Sequence, residues 1–569
     1  MNRRSFVIST ASALSLGALG LTPLRLGAAP AGGSFVGRLV ADNDALIPDL
    51  LRRQNASGAV VDAHGIPTVH DTARLIAVLV AARHAPESQH HGDRALLEPL
   101  NRAAASLLKA QHDDGTIDLI ATNFHSPPDT AFMVEVIASV AGLLHREPDN
   151  VELSLRDSLD EFLRRAGEAL VTGGVHTPNH RWVVCAALAR IHERSPDPRY
   201  VARIDQWLAE TIDIDPDGQF TEKSTSVYSP VVDRALLTVA RVLDRPALRE
   251  PVRRNLEMTL YYVHPDGEVV TEASKRQDKY QRGSMARYYY SYRTLARLDG
   301  DGRFSAMTAQ IERNAEKQLT GELLTFLEEP KFGEELPPER PLPTDYEKVF
   351  AYSHLARIRR GQISGTVLAQ NTTLFSLRKG AAALEAVRFA SAFFGKGQFI
   401  GERLEVRDGS YHLEQKLSGP YFQPLSPEQI AHGEQVRMAP NGTLAADHRA
   451  ARVQSNIQQL TARAVISEEA GRFRIVFEVD GTDGVPVAVE LAFRHGGRLD
   501  GAVPVEEIAD AHLLKSGTGR YTVGQDTITF GPGRADHTWT QLRGALPKWD
   551  GQSVYLTGFT PFRMTLEIS

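Results

Sequence analysis

Apolar residues recur at spacings of three and four through residues 35–327, the period of helices with a buried face. The run Val69-His70-Asp71-Thr72-Ala73-Arg74-Leu75-Ile76-Ala77-Val78-Leu79-Val80 shows it, as do 130–144, 153–170, 182–191, 235–243, 252–263 and 285–298. Many of these segments are apolar over a wide arc, so they are expected to pack on two sides. The pattern predicts roughly ten to twelve helices in hairpins, as in an α/α toroid or an incomplete one, with a simple bundle or a solenoid as the alternatives.

The proline-rich stretch Glu335-Leu336-Pro337-Pro338-Glu339-Arg340-Pro341-Leu342-Pro343 ends this pattern. A short helix is expected over 346–359. Strand-like runs follow at 372–377, 383–389, 473–479, 487–493, 527–530 and 564–568, separated by turns such as Asp480-Gly481 and Pro440-Asn441-Gly442. The expected fold class is α+β and multidomain. An α/α toroid spans 30–335, a linker with a short helix 336–360, and an antiparallel β-sandwich 361–569. Within the helical half, Asp114-Gly115, Asp217-Gly218 and Asp266-Gly267 each close a helix and open a polar loop of about a dozen residues. If the hairpins repeat, these loops leave the toroid on one rim.

The chain begins with Asn2-Arg3-Arg4-Ser5-Phe6-Val7, an apolar run over 7–21 and the small-residue exit Gly27-Ala28-Ala29. This predicts a cleaved twin-arginine export signal over 1–29 and a periplasmic or secreted protein. The remaining chain is expected to contain no second apolar run long enough to span a bilayer. The 569 residues imply about two to four domains. A single cysteine, Cys185, rules out an intrachain disulfide, and its apolar surroundings suit a buried small hydrophobe better than a nucleophile. The formal net charge of −6 argues against nucleic acid as the main partner. An anionic ligand would need a local cluster of cations. Nothing in the sequence sets an oligomeric state, and no cofactor or metal motif is present; His90-His91 reads as a solvated loop pair.

The candidate chemistry lies in three loops and one helix start. Thr177-Pro178-Asn179-His180-Arg181-Trp182 opens the helix at 182–191; Asn179 there is either an N-cap or an amide facing an anion, two roles that can coexist. Tyr228 falls in the polar loop Ser224-Thr225-Ser226-Val227-Tyr228-Ser229-Pro230, together with Glu222 and Lys223, and Lys223 there would lower the phenol's pKa. The run from Tyr280 to Arg293 is dense in tyrosine and arginine, flat platforms for sugar rings and forks for carboxylates. Arg282 is the expected cation. His125 sits in the first of the three loops, and His412 in the β half, followed by Ser418-Gly419-Pro420-Tyr421-Phe422-Gln423, is a candidate cap for the cleft.

These residues resemble the polysaccharide lyases built from an α/α toroid and an antiparallel β-sandwich, a group that includes the heparinase II/III-like, oligoalginate and chondroitin AC/hyaluronate lyases. Pro178-Asn179-His180-Arg181-Trp182 looks like the Asn-His motif of the oligoalginate lyases, and Asp217-Gly218-Gln219-Phe220 like the turn that precedes catalytic residues in the hyaluronate lyases. The pattern departs from the latter in having Lys223 near the place of a histidine and Val232 where a second tyrosine stands. The resemblance implies β-elimination at a 4-linked uronic acid in an anionic poly- or oligosaccharide, giving a C4–C5 unsaturated uronate. Catalysis is then expected from Asn179, His180, Tyr228 and His125, and substrate contacts from Arg181, Trp182, Glu222, Lys223, Tyr280, Arg282 and His412. The rival is a glycoside hydrolase on a similar toroid, using two carboxylates among Asp129, Glu222, Asp233 and Glu272. A non-catalytic glycan-binding protein is the third reading.

Overall fold

The computed structural model describes residues 33–146, 153–446 and 448–569, and the expected export signal lies outside them. The chain divides into two compact units, one helical up to Pro343 and one of strands from Thr344, with His264–Asp266 clustering with the second.

Twelve α-helices make up the described part of the helical unit. They are α1 (Phe35–Arg53), α2 (Val69–His84), α3 (Leu97–Ala110), α4 (Pro127–Leu144), α5 (Leu153–Thr172), α6 (Pro178–Arg194), α7 (Pro198–Leu208), α8 (Tyr228–Val242), α9 (Arg249–Thr259), α10 (Tyr289–Asp299), α11 (Gly302–Ala315) and α12 (Glu322–Glu328). Helices α2, α4, α6, α8 and α10 pack in succession as an inner row, each also touching the outer helix that follows it. The two-sided apolarity of the sequence has this cause: α6 buries every residue from Trp182 to Ile191. The Phe35 ring of α1 lies 5.9 Å from that of Tyr289 of α10, tilted by 47°, so α1 reaches from the start of the row to its end. Helix α12 lies against the inner helices, tied to α6 by an Arg190–Glu328 ion pair and to α8 by Arg234–Glu322 at 2.7 Å. Helix α4 corrects one expectation. Its 18 residues, with mean hydropathy 1.3, are long and apolar enough to cross a bilayer, yet 67% of it is buried here against α2, α5 and α6.

The repeat anticipated at three Asp-Gly turns occurs four times among the described residues. Gly58, Gly115, Gly218 and Gly267 all adopt φ between 83° and 94°. A Cβ at the first three would lie 2.1, 2.2 and 2.5 Å from the carbonyl oxygens of Arg102, Arg165 and Arg254, so the turns pack directly onto neighbouring backbone. The first copy reads Ser57-Gly58 and so escaped the Asp-Gly pattern. Each turn leads to the start of an inner helix, which places those helix starts and their loops in equivalent positions.

The second unit holds, among its described residues, a nine-stranded and an eight-stranded sheet, almost wholly antiparallel, with one parallel pairing between Ala511–Leu513 and Gln552–Phe559. Their inner faces share one apolar core containing Phe375, Phe389, Phe473, Phe477 and Phe493. The strands expected at 473–479, 487–493 and 564–568 are Arg472–Gly481, Pro486–Phe493 and Phe562–Ile568. The short helix expected over 346–359 does not form. Asp345–Phe350 and Leu355–Arg360 pair as a hairpin at one edge of the nine-stranded sheet, and the second unit therefore starts at Thr344, not 361. The edge strand buries only Phe350, so it lacks the alternation that marks a strand with one covered face.

Candidate active site

The N-terminus of α6 is the anchor. Thr177 is its N-cap and Pro178 its first residue, which corrects the N-cap role expected of Asn179. Asn179 is 1% exposed and closes on Glu222, not on solvent: its backbone N–H donates to Glu222 Oε2 at 3.0 Å and its side-chain amide donates to the same oxygen at 2.5 Å. A helix N-terminus favours an anion, and here the protein supplies its own. The other carboxylate oxygen, Glu222 Oε1, lies 3.5 Å from Arg276 Nη1.

Arg276 extends the chain of contacts to Tyr228. Its guanidinium stands 5.2 Å over the Tyr228 ring, within cation–π range. Gln277 Nε2 donates a hydrogen bond to the Tyr228 hydroxyl. Tyr228 is not in a polar loop as expected; it is the first residue of α8 and 7% exposed. The serines that made the segment read as a loop are themselves inward-facing: Ser224 Oγ accepts from Tyr228 N at 3.1 Å, while Ser226 Oγ donates to Asp278 at 3.1 Å. Thr225 Oγ1 donates to the Val270 carbonyl at 2.9 Å, and Lys275 N donates to the Lys223 carbonyl at 2.8 Å. The second and third loops are thus hydrogen-bonded to each other, two of the three that the repeat was expected to bring together.

His180 follows Asn179 and is 9% exposed. The His176 ring meets it edge-on at 4.8 Å, and Phe132 of α4 at 6.1 Å. Burial, with added repulsion from His176 and Arg276, brings its pKa down to about 4 against the opposing pull of Asp129. It is therefore neutral at physiological pH. Its Nδ1 is buried with no hydrogen-bond partner in the described structure.

Three residues of the three loops, His125, Lys223 and Tyr280, hold left-handed backbone conformations at φ of 46°, 48° and 63°. Such conformations cost of order 1 kcal/mol each and gather where loops are held for function. His125 nonetheless does not join the cluster through any described contact. Its ring stacks on His112 at 3.8 Å and its Nδ1 pairs with Asp114 at 2.8 Å, in solvent.

Other expectations change similarly. Trp182 has no exposed surface and donates through Nε1 to Asp213 at 3.1 Å, so its ring offers no face to a sugar. Arg181 pairs with Asp213 at 2.7 Å and Glu210 at 3.0 Å and covers the Trp182 ring; it braces the start of α6. Arg282 is exposed, and Arg276, six residues earlier, is the arginine in the cluster. Tyr280 packs under Lys279 at 4.9 Å. His412 lies in the second unit, on the strand Ser410–Phe422 opposite Val465. Cys185 is fully buried, and burial pushes its thiol far above the usual range. The four hydrolase carboxylates, Asp129, Glu222, Asp233 and Glu272, are all buried, and burial raises Asp233 well above an ordinary carboxylate.

No protein-family model matches this chain, and no curated protein matches it. Solved structures do. A heparinase III aligns with 97% of this chain and 85% of its own at 12% identity and a TM-score of 0.55. The Streptomyces coelicolor A3 chondroitin AC lyase, determined in complex with chondroitin sulphate, aligns with 95% of this chain and 80% of its own at 13% identity and a TM-score of 0.53. A Paenibacillus xanthan lyase aligns with 94% of this chain and 57% of its own at 9% identity and a TM-score of 0.52. The chain has the fold shared by these polysaccharide lyases, a helical toroid followed by an antiparallel β-sandwich.

Proposed function

We propose that this protein is a polysaccharide lyase that cleaves a 4-linked uronic-acid glycan by β-elimination. The observation that carries the reading is the contact chain Asn179–Glu222–Arg276–Tyr228–Gln277, which puts one cation and one phenol side by side on a fold shared with polysaccharide lyases. In this reading Arg276 pairs with the uronate carboxylate and stabilises the enolate-like charge that develops when C5 loses its proton. Asn179 acts one step back: with its amide held by Glu222, it fixes the carboxylate that orients Arg276. A sugar carboxylate placed directly on Asn179 would meet the charge of Glu222, which is unfavourable.

The Tyr228 oxygen, reacting as the phenolate, accepts the C5 proton and becomes the phenol. The C4–O4 bond then breaks, the C4–C5 double bond forms, and the departing O4 takes a proton, which the same phenol can return. His180, neutral at working pH, contributes a hydrogen bond and not a charge. We further propose that the protein is exported by the twin-arginine route, on the strength of Arg3-Arg4 and the apolar run behind them. Incubation with alginate, hyaluronan and polygalacturonate, followed by ultraviolet absorbance of the new double bond, tests the reaction class. New reducing ends without that absorbance would assign the chain to the hydrolases instead.

A further inference from the structure

The segment Ser418-Gly419-Pro420-Tyr421-Phe422-Gln423 plays no part in the cluster above, yet it carries the most exposed aromatic side chains of the second unit's long hairpin. The strand Ser410–Phe422 pairs with Gln454–Glu469 in regular register until Gly419, opposite Gln458. There the register slips, so that Tyr421 faces Ser455, and Asn456 takes a left-handed φ of 47°. A bulge of this kind re-aims side chains and opens a local hollow. The hollow has a volume of about 550 Å³ and is lined by Tyr421, Phe422, Gln423, Ser455, Asn456 and Gln458. It is shallow and open to solvent, the form of a surface platform and not of an enclosed cleft.

The rings are held in place although they are open to solvent. Tyr421 is 59% exposed and meets Phe394, 42% exposed, edge-on at 5.6 Å. Gly419 makes this possible: a Cβ there would fall 2.4 Å from the Phe394 ring. Arg449 lies 5.4 Å over the Phe422 ring, and Arg452 donates to the Gln423 carbonyl at 3.2 Å. The hollow itself is lined by no carboxylate.

We infer that this hollow is a sugar-binding platform that holds a stretch of an anionic polysaccharide chain. Flat rings match the C–H face of a pyranose. Gln423 Nε2 donates to Ser455 Oγ at 2.6 Å and Thr482 Oγ1 donates to Gln458 Oε1 at 3.1 Å, which fixes a polar rim; its remaining donors and acceptors, with the Asn456 amide, match the sugar hydroxyls, and the guanidinium groups of Arg449 and Arg452 beside it match a carboxylate. Four of the six lining residues are Gln, Ser or Asn, which does not suit an amphipathic helix. Two arginines on a chain of net charge −6 do not make a nucleic-acid footprint. The platform stands on its own geometry; only the choice of a uronate polymer rests on the lyase reading.

The test is equilibrium binding of the full chain to alginate, hyaluronan, polygalacturonate, neutral dextran and single-stranded DNA, by affinity electrophoresis. The uronate polymer bound best by the parent should be bound about tenfold more weakly by the double variant Tyr421→Ala, Phe422→Ala, at unchanged melting temperature. Arg449→Ala should weaken the same complex and flatten its salt dependence. Should the double variant misfold, Asn456→Ala with Gln458→Ala, both at the surface, should weaken binding about threefold. Unchanged affinity in a folded variant overturns the platform, as does equal binding of dextran or preference for DNA. The two readings separate cleanly: lost binding in the variants with no unsaturated product from the parent sinks only the lyase, while unsaturated product with unaltered binding sinks only the platform.

Discussion

Two polar clusters rise from the repeating loops of the helical unit, and they differ in one respect that decides what each can do. Around His125 two imidazoles meet two carboxylates at side-chain exposures of 31–58%. His125 pairs with Asp114, His112 pairs with Asp118 at 2.9 Å, and hydrogen bonds from Thr116 and His125 outweigh partial burial to hold Asp114 near pKa 2. Around Tyr228 the phenol, Asn179, Glu222 and a neutral His180 are buried, and the Arg276 guanidinium that faces the phenol is 34% exposed. Exposed pairs are worth little and are screened by salt, whereas a partly covered cation set against a buried phenol and a buried carboxylate acts more strongly on charge that develops beside it. Two sequence features pointed to both clusters equally, a polar loop and a titratable side chain, and the loops also hold left-handed residues in both places. Burial of the phenol and of the carboxylate behind the arginine separates them.

Substitutions should widen this contrast, beginning with the phenol. Tyr228→Phe should reduce turnover by about a thousandfold or more while glycan affinity stays within about threefold, as measured by product absorbance and by binding. Arg276→Ala should lower kcat/KM by about a hundredfold, with part restored by lysine; an effect on KM alone would demote Arg276 to a binding residue. Glu222→Gln should cost about tenfold in kcat and roughly 1–3 kcal/mol of stability in thermal melts, because Asn179 and Arg276 both lose the carboxylate they rest on.

The pH response sharpens the comparison further. The His180 pKa is about 4 in the folded protein against 6.5 for an unperturbed histidine, so the unfolded chain binds the extra proton first. Stability from this group is complete above about pH 6.5 and is lost as pH falls towards 4, by about 3 kcal/mol at most. His180→Asn should flatten that part of the stability curve. The smallest effect belongs to the other cluster: His125→Ala should change turnover by about twofold or less.

Much of this was legible in the chain. The change of period at the proline-rich stretch marked the two halves, and Asp-Gly turns exposed a repeat that the structure extends to Gly58. The site was less legible, for reasons of side-chain direction. Serines 224 and 226 read as polar loop because composition does not tell whether a hydroxyl meets water or a backbone amide. Trp182, beside Asn179 and His180, read as part of the rim, yet the helical turn carries it into the core. Asn179 was expected to await an anion; that Glu222, 43 residues away, already holds it is a tertiary fact with no local signal. Arg276 differed from Arg282 only in which of them reaches Glu222.

The central claim is that Tyr228, flanked by Arg276, moves the proton in a β-elimination. The most direct measurement compares the ultraviolet absorbance of unsaturated uronate produced by the parent chain and by Tyr228→Phe from the same panel of uronic polysaccharides. The account predicts a rising double-bond signal on at least one polymer for the parent and none for the variant, at equal glycan binding. A variant that generates the signal at the parent's rate, or a parent that cleaves without producing it, would contradict the account.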